Sequence, residues 1–152
     1  MNTFVRGIYT IHIIHIFSLE PKLYLSMKDI DNNVIVQKSF SFAIRCVNLS
    51  KYLREEKKEY EMSKQLIRSG TSIGANVKEA LRAQSKADFK SKLNIALKEA
   101  SETEYWIELL WRTQYINETA AKSLQADCVE LIKLLTSIIK HITKEQQNNK
   151  SS

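Results

Sequence analysis

The stretch SKQLIRSGTSIGANVKEA, Ser63–Ala80, separates apolar and basic side chains in the way that an amphipathic helix requires. At about 100° per residue, one side collects the apolar residues Leu66, Ile73, Val77, Ala80 and Leu81. The opposite side collects the basic residues Lys64, Arg68, Lys78 and Arg82. The apolar side is therefore predicted to pack in a core, and the basic side to face water or an anion.

A narrow polar stripe runs between these two sides at spacings of three and four residues, which keep neighbours in contact on a helix. Its members are Ser69, Ser72, Asn76 and Glu79. Gly70 and Gly74 lie in the same segment, but the nearby charges exclude a membrane helix, and no Gly-Lys-Ser/Thr sequence follows to form a phosphate loop. Because glycine costs about 1 kcal/mol inside a helix, we predict that these two residues allow another helix to approach closely or bend the helix locally.

The composition indicates one domain built from long helices. The 152 residues are 43% hydrophobic and 26% charged, which is sufficient to form a core. Three glycines and one proline are too few for the many turns of a sandwich or barrel. Cys46 and Cys128 lie among apolar residues of predicted helices, which indicates free thiols in a reducing cytoplasm, although the sequence leaves a disulfide between them open.

The first helix is predicted to begin at Ser39 as N-cap and to end near Lys57, after an extended lead-in over residues 27–38. It has two apolar sides. One side holds Phe40, Ala43, Ile44 and Val47, and the other holds Phe42, Cys46, Leu49 and Leu53. A helix that is apolar on two sides must be covered twice, by a bulky neighbour or by another subunit. The second helix is expected over residues 59–83.

The third helix is predicted from a cap at Ser85, supported by Asp88, to about Arg112. Its core face holds Phe89, Leu93, Ala96, Leu97, Ala100, Ile107 and Trp111. A second apolar patch on the far side holds Ile95, Tyr105, Trp106 and Leu109. An exposed aromatic cluster of this kind is typical of a subunit interface, and the alternative is a tryptophan that lies flat on the monomer surface.

The fourth helix is predicted to be capped by Asn117 and is clearly amphipathic. Its apolar residues are Ala120, Leu124, Cys128, Leu131, Ile132, Leu135, Ile138, Ile139 and Ile142. The sequence therefore predicts an all-α fold, an antiparallel up-down four-helix bundle over residues 39–144, followed by a polar tail over residues 145–152.

The sequence contains no motif that indicates catalysis, a cofactor or a metal ion. The glutamates of the third helix lack the histidines of a di-metal bundle, and no base accompanies the serines. A weaker hypothesis is an enzyme that uses Ser69, Asn76 and Glu104. Glu104 lies at the edge of the core face and would need a partner if buried, for which Lys90, Arg68 or Asn76 are the candidates.

The positive charge is concentrated rather than spread evenly. The chain has a formal net charge of +6, and residues 64–98 hold eight basic residues against two acidic ones, while the next ten residues hold four glutamates. The predicted contacts to phosphates are Lys64, Arg68, Lys78, Arg82, Lys86 and Lys90. Without interleaved aromatic residues, binding to RNA or DNA should involve the backbone and show weak sequence preference. The alternative is a protein-protein adaptor whose basic stripe is solvated and whose Tyr105 and Trp106 contact another copy or a partner.

Four segments resemble a known family: RSGTSIGAN at 68–76, SKADF at 85–89, ALKEA at 96–100 and ETEYW at 102–106. Over roughly Val34–Thr143 the chain is similar to the four helix bundle proteins, also called 23S rRNA-intervening-sequence proteins. More distantly it is similar to the accessory variability protein of diversity-generating retroelements. The resemblance implies a small bacterial protein that can assemble as a homopentamer and belongs to a family with no established enzymatic activity. In the distant relative it implies binding to nucleic acid and to a reverse transcriptase.

Residues 1–26 lie outside this resemblance and differ in composition from the rest. Their apolar run is interrupted by His12 and His15 and is too short to span a membrane. Since members of the family usually begin near Met27, we expect translation to start there; otherwise these residues form a poorly ordered arm.

Overall fold

The computed structural model describes residues 33–148, and all regular secondary structure in this range is helical. The helices are α1 Val34–Glu55, α2 Glu61–Ala80, α3 Lys86–Arg112 and α4 Glu118–Asn148. Each helix packs against the next one in the chain, and α4 also contacts α1, less extensively. The predicted all-α class with four helices is confirmed. The predictions for residues 1–26, and for residues 149–152 of the tail, lie outside the described residues.

The beginning of α1 differs from the prediction. Asn33 is the N-cap, and its Oδ1 accepts a hydrogen bond of 3.2 Å from the Ile35 N–H. Ser39 is buried inside the helix, where its hydroxyl donates to the Val36 carbonyl at 3.1 Å. The extended lead-in is therefore wrong for residues 34–38, because burial of Ile35 and Val36 outweighs the weak helix propensity of β-branched residues.

The beginning of α2 depends on a residue that we predicted to lie within the helix. The carboxylate of the buried Glu59 accepts hydrogen bonds from the N–H groups of Glu61, Met62 and Ser63 at 2.7–3.0 Å. These N–H groups have no partner inside the helix, and the negative charge also suits the positive end of the helix dipole. α2 consequently spans 61–80 rather than 59–83.

The caps of the last two helices are as predicted. Ser85 Oγ accepts from the Asp88 N–H at 3.1 Å, and Asn117 Oδ1 accepts from the Ala120 N–H at 2.8 Å. These caps satisfy N–H groups that the first helical turn leaves unpaired. α4 continues to Asn148, four residues beyond the predicted end of the bundle.

The core contains the apolar faces that the sequence predicts. All five apolar residues of the opening stretch are buried, and the same holds for Phe42, Cys46 and Leu53 on α1. The other apolar set of α1 points outward, with Phe40 61% and Ile44 48% exposed. None of the helices within residues 33–148 is long and apolar enough to cross a membrane.

Small residues bring α1 and α2 close together. A Cβ added to Gly70 would lie 2.4 Å from Cys46 Sγ and 2.8 Å from Cys46 Cβ. The backbone of α1 lies near Gly74 as well, where an added Cβ would be 3.5 Å from the Ser39 carbonyl oxygen. The prediction that the glycines permit close helix packing is therefore confirmed at Gly70, whereas at Gly74 an added Cβ would make only ordinary contact.

Candidate phosphate-binding and subunit-contact surfaces

The predicted basic stripe lies on the exposed side of α2 and continues into the turn that follows it. Lys64, Arg68, Lys78 and Arg82 are all exposed. Arg68 forms an ion pair with Glu102 on α3, which reduces its availability to a phosphate. For the other three residues, no ion pair forms with any residue that the structure describes. Lys64, Lys78 and Arg82 are therefore more available to bind an anion than Arg68 is.

The α2–α3 turn brings together three of the predicted cations. Arg82 lies in the turn, Lys86 is the first residue of α3, and Lys90 lies one helical turn later. Arg82 and Lys86 are exposed, and Lys90 is partly exposed. Asp88 is the acidic residue among them, and its carboxylate accepts from the Gln84 N–H at 3.2 Å. This turn keeps an excess of positive charge at one end of the molecule.

Lys92 illustrates how a neighbouring cation is neutralised. Its Nζ donates to Glu79 Oε2 on α2 at 2.5 Å. That hydrogen bond, together with the negative charge of Glu79, raises the pKa of Lys92. Lys92 and Glu79 therefore act as a pair across the α2–α3 contact rather than as binding groups.

The predicted polar cluster is not assembled as one site. Ser69 is buried, and its hydroxyl oxygen accepts from Thr103 Oγ1 at 2.9 Å. The Asn76 side chain donates to the carbonyl of Ser72 in its own helix at 2.9 Å. Glu79 pairs with Lys92 in the last turn of α2. The four polar residues of the stripe therefore make separate local contacts and do not form one site. Thr103 was missed, because only the α2–α3 register places it opposite Ser69.

Glu104 lies beside Cys128 of α4 rather than among the predicted partners Lys90, Arg68 and Asn76. Burial raises the pKa of the Cys128 thiol to about 12, and the negative charge of Glu104 contributes in the same direction. Burial likewise raises the pKa of Cys46 to about 12, opposed by the charge of Arg45. Both cysteines are free, so the disulfide left open by the sequence is not formed. The thiols are neutral core groups at ordinary pH.

No group of three His, Cys, Asp or Glu side chains within residues 33–148 is placed to hold a metal ion. The carboxylate oxygen Oε2 of Glu99 is buried without a hydrogen-bond partner in this part of the chain. A single carboxylate does not supply the ligand set of a protein metal site.

The apolar patch on α3 is partly exposed and rigidly held. Tyr105 is 58% exposed and Ile95 38%, whereas Trp106 and Leu109 are half-buried. The rings of Tyr105 and Trp106 meet edge to face, with centroids 5.0 Å apart. Trp106 Nε1 donates to Glu102 at 3.2 Å, and the same carboxylate oxygen binds Arg68. The tryptophan therefore packs against the core, and Tyr105 is the outward aromatic residue.

A second apolar surface lies between α1 and α2. It is a groove of about 420 Å³ whose walls include Phe40, Ala43, Ile44 and Val47 of α1 and Gly74 and Ala75 of α2. Lys78 lies at its border. The outward apolar side of α1 is thus one wall of a concave surface that no described helix covers.

These features define an all-α protein of four packed helices with a basic turn, an aromatic patch and an apolar groove. The sequence profile of the 23S rRNA-intervening sequence proteins matches residues 31–137, and the chain belongs to this family.

A solved structure supports the same assignment. A protein of unknown function from the S23 ribosomal protein family of Bacteroides thetaiotaomicron is 62% identical over 70% of this chain and 99% of that chain, with a TM-score of 0.70. No curated protein matches the sequence.

Proposed function

We propose that this chain forms a noncatalytic homo-oligomer in the cytoplasm whose basic surface binds the phosphate backbone of structured RNA or DNA. The observation that carries the proposal is the run of cations through the α2–α3 turn, where Arg82, Lys86 and Lys90 occur with Asp88 between them, and the Asp88 carboxylate accepts from the Gln84 N–H. Such a cluster attracts polyanions through the field of its charges.

The proposed subunit is an antiparallel up-down bundle. Between α1 and α2, Ser39 lies near Gly74, and Ser50 lies near Ser63. The residue numbers therefore increase along α1 as they decrease along α2. Contacts between α2 and α3 behave in the same way, with Arg68 paired to Glu102 and Glu79 paired to Lys92. Opposite chain directions in adjacent helices suit the short connections between them.

The proposed assembly uses the α3 patch as a subunit contact. Tyr105 and Ile95 are apolar, exposed and held on a rigid helix, and aromatic residues are enriched in interface cores. By resemblance to the family, we take the assembly to be a pentamer. An oligomer would also repeat the basic turn several times on one particle, which strengthens binding to a long polyanion through multivalency.

Binding of a structured ribosomal RNA fragment tests the proposal. With about four phosphate contacts, affinity should fall roughly 50- to 150-fold between 50 and 200 mM salt. We expect Arg82→Glu/Lys90→Glu to abolish binding, as measured by fluorescence anisotropy across that salt series. Arg68 is left unchanged because its substitution would also release Glu102 and Trp106.

The matched control is Lys133→Glu/Lys140→Glu on α4, which alters the net charge equally at two exposed lysines. If both double variants lose affinity to the same degree, only overall charge matters and the turn is not the site. If the wild type binds no RNA even at the lowest salt, the proposed nucleic-acid role is wrong and the adaptor alternative takes its place.

A further inference from the structure

We propose that a pocket between the end of α1 and the α3–α4 turn binds one unpaired nucleotide, whose base stacks on aromatic side chains while its phosphate contacts Lys57. The pocket has a volume of about 430 Å³, which is within the usual range of small-molecule sites. Its lining includes Tyr52, Trp111, Gln114 and Tyr115. The site would add recognition of a base to the backbone binding proposed above, and it does not depend on that binding.

Three aromatic side chains from separate parts of the chain meet at this pocket. Tyr52 belongs to the last turn of α1, Trp111 to the last turn of α3, and Tyr115 to the connection before α4. Trp111 and Tyr115 pack against the core, which holds their rings in place, and Tyr52 is 42% exposed. Aromatic side chains of this kind stack on nucleobases of any sequence. Residue spacing alone does not indicate this pocket, because only the fold brings the end of α1 to the α3–α4 turn.

Gln114 has a backbone conformation that favours glycine. Its φ is 65°, and its N–H donates to the Trp111 carbonyl at 2.9 Å where α3 ends. Glycine is the usual residue at a left-handed position after a helix, and a residue with a side chain is less favourable there. Such a residue points to a role for its side chain. The Gln114 side chain lines the pocket, and its amide can both donate and accept hydrogen bonds at the edge of a base.

The charges that line the pocket favour a ligand with a negative group. The carboxylate of Glu118 is already paired with Lys122 at 2.6 Å. Lys57 is exposed and forms no ion pair with any residue in the range 33–148. The two glutamates that precede Lys57 in the sequence lie outside the lining. The ammonium group of Lys57 is therefore available to a phosphate.

A cationic ligand fits the same pocket less well. Two of its rings already have a cation over them: Lys57 Nζ lies 5.7 Å from the centroid of Tyr52, and the Arg112 guanidinium lies 5.0 Å from the centroid of Trp111. A quaternary ammonium ligand would compete with these cation–π contacts. A nucleotide instead offers a planar ring to the aromatic residues, a polar edge to Gln114 and a phosphate to Lys57, so it uses each feature of the pocket.

Tryptophan fluorescence tests the pocket directly, because the chain has two tryptophans and Trp111 is the one that lines it. In Trp106→Phe, whose fold far-UV circular dichroism would verify, all tryptophan emission comes from Trp111. We expect AMP, GMP, CMP and UMP at millimolar concentrations to quench this emission saturably through stacking, whereas ribose 5-phosphate, which has no base, should not. In the matched variant Trp111→Phe, the emission of Trp106 should not respond to the nucleotides.

Gln114→Gly, made in the Trp106→Phe background, separates ligand binding from stability. Because glycine suits the left-handed conformation, the midpoint of urea unfolding should stay the same or rise. The affinity for nucleotides should nevertheless fall roughly 2- to 10-fold, since the amide at the base edge is lost. Lys58→Gly is the matched control, because residue 58 also has a positive φ, of 54°, but does not line the pocket. Equal affinities of the two variants would overturn the role of Gln114.

Two short RNA duplexes identify the source of the nucleotide. A duplex with a single-nucleotide bulge should bind the wild type roughly tenfold more tightly than its fully paired counterpart, because the unpaired base can stack in the pocket. Gln114→Gly should reduce this preference without changing the affinity for the paired duplex. Quenching by the monophosphates without a preference for the bulge would support the pocket with a free nucleotide as its ligand.

The outcomes separate this inference from the proposed function. If none of the four monophosphates quenches Trp111 and the two duplexes bind equally, the nucleotide pocket is wrong and the proposed backbone binding stands. If the monophosphates quench Trp111 but neither duplex binds, the backbone binding is wrong and the pocket stands. Arg82 and Lys90 lie outside the pocket lining, so Arg82→Glu/Lys90→Glu should lose the paired duplex and keep the quenching.

Discussion

Helix α1 makes two contacts within the bundle that differ in chemistry. Toward α2 it presents the small residues Ser39, Cys46 and Ser50, and the helices approach closely at Gly70 and Gly74. Toward α4 it presents charged residues instead. Lys38 Nζ lies 3.0 Å from Glu130 Oε2, and Arg45 pairs with Asp127 and also binds Ser123.

The difference indicates how each contact should respond to change. Because the α1–α2 contact is close-packed, adding or removing a single carbon atom should change its contribution to the free energy of unfolding, whereas salt should not. The α1–α4 contact uses partly exposed ion pairs, which are typically worth 0–1 kcal/mol and are screened by salt. The α1–α2 contact should therefore dominate the stability of α1.

The largest effect is expected from an added methyl group in the α1–α2 contact. In Gly70→Ala the new Cβ would meet Sγ and Cβ of Cys46, and overpacking of this kind costs about 1–3 kcal/mol. The gain in helix propensity offsets about 1 kcal/mol. We expect a net loss of up to about 2 kcal/mol in the free energy of unfolding, measured by urea denaturation.

Gly74→Ala is the matched control four residues along the same helix. Its new Cβ would make ordinary contacts at 3.5 Å with Ser39, so the propensity gain of about 1 kcal/mol should remain. Equal changes in the free energy of unfolding for the two substitutions would contradict the close approach of α1 and α2 at Gly70.

A smaller effect is expected from alkaline pH, which acts on the thiol between α1 and α2. The pKa of Cys46 is about 12 in the fold against an ordinary value of 9.0. Below pH 9 the folded and unfolded thiols are both protonated, and stability is unaffected. Between pH 9 and 10 the unfolded chain releases its proton while the folded chain retains it, so the free energy of unfolding falls by about 1 kcal/mol for this thiol.

The comparison with Cys46→Ala isolates that contribution. The variant is less stable at neutral pH, but its unfolding free energy should fall less steeply between pH 9 and 10 than that of the wild type. Parallel pH curves for the two proteins would contradict a buried, neutral Cys46.

The smallest effect is expected from Arg45→Ala in the α1–α4 contact. It removes the pair with Asp127 and two hydrogen bonds to Ser123, but the side chains of the pair are 36% and 45% exposed. We expect a loss of about 0.5–1 kcal/mol that diminishes near 1 M salt. Arg112→Ala removes an ion pair within α3 and should lower the free energy of unfolding by less than Arg45→Ala does. A larger loss for Arg112→Ala would contradict the expected contribution of the α1–α4 pair.

The sequence predicted the helices and their inward faces because both depend on local periodicity. Ser85 and Asn117 were recognised as caps because their side chains are common N-caps. The start of α1 was misread because Val34–Val36 favours a strand locally, whereas burial decides its conformation. Glu59 was missed because a glutamate seldom caps a helix, and only the bend before α2 aims its carboxylate at three N–H groups.

The surfaces were less predictable because they depend on how helices are aligned. The basic residues were recognised from their spacing, but the pairing of Arg68 with Glu102 requires the α2–α3 register, which periodicity does not define. The same is true of Ser69 with Thr103 and of Glu104 with Cys128. The exposed set on α1 was recognised as needing cover, but the groove appears only when residues of α2 complete its lining.

The contact between Cys46 and Gly70 also restricts the order in which substitutions can accumulate during evolution. A side chain at position 70 meets both Sγ and Cβ of residue 46, so shortening that cysteine to alanine relieves only part of the collision. The two positions are therefore epistatic: glycine at 46 makes room for alanine at 70, whereas the reverse order passes through an overpacked protein. Related sequences should show these two sites changing together, with position 46 changing first.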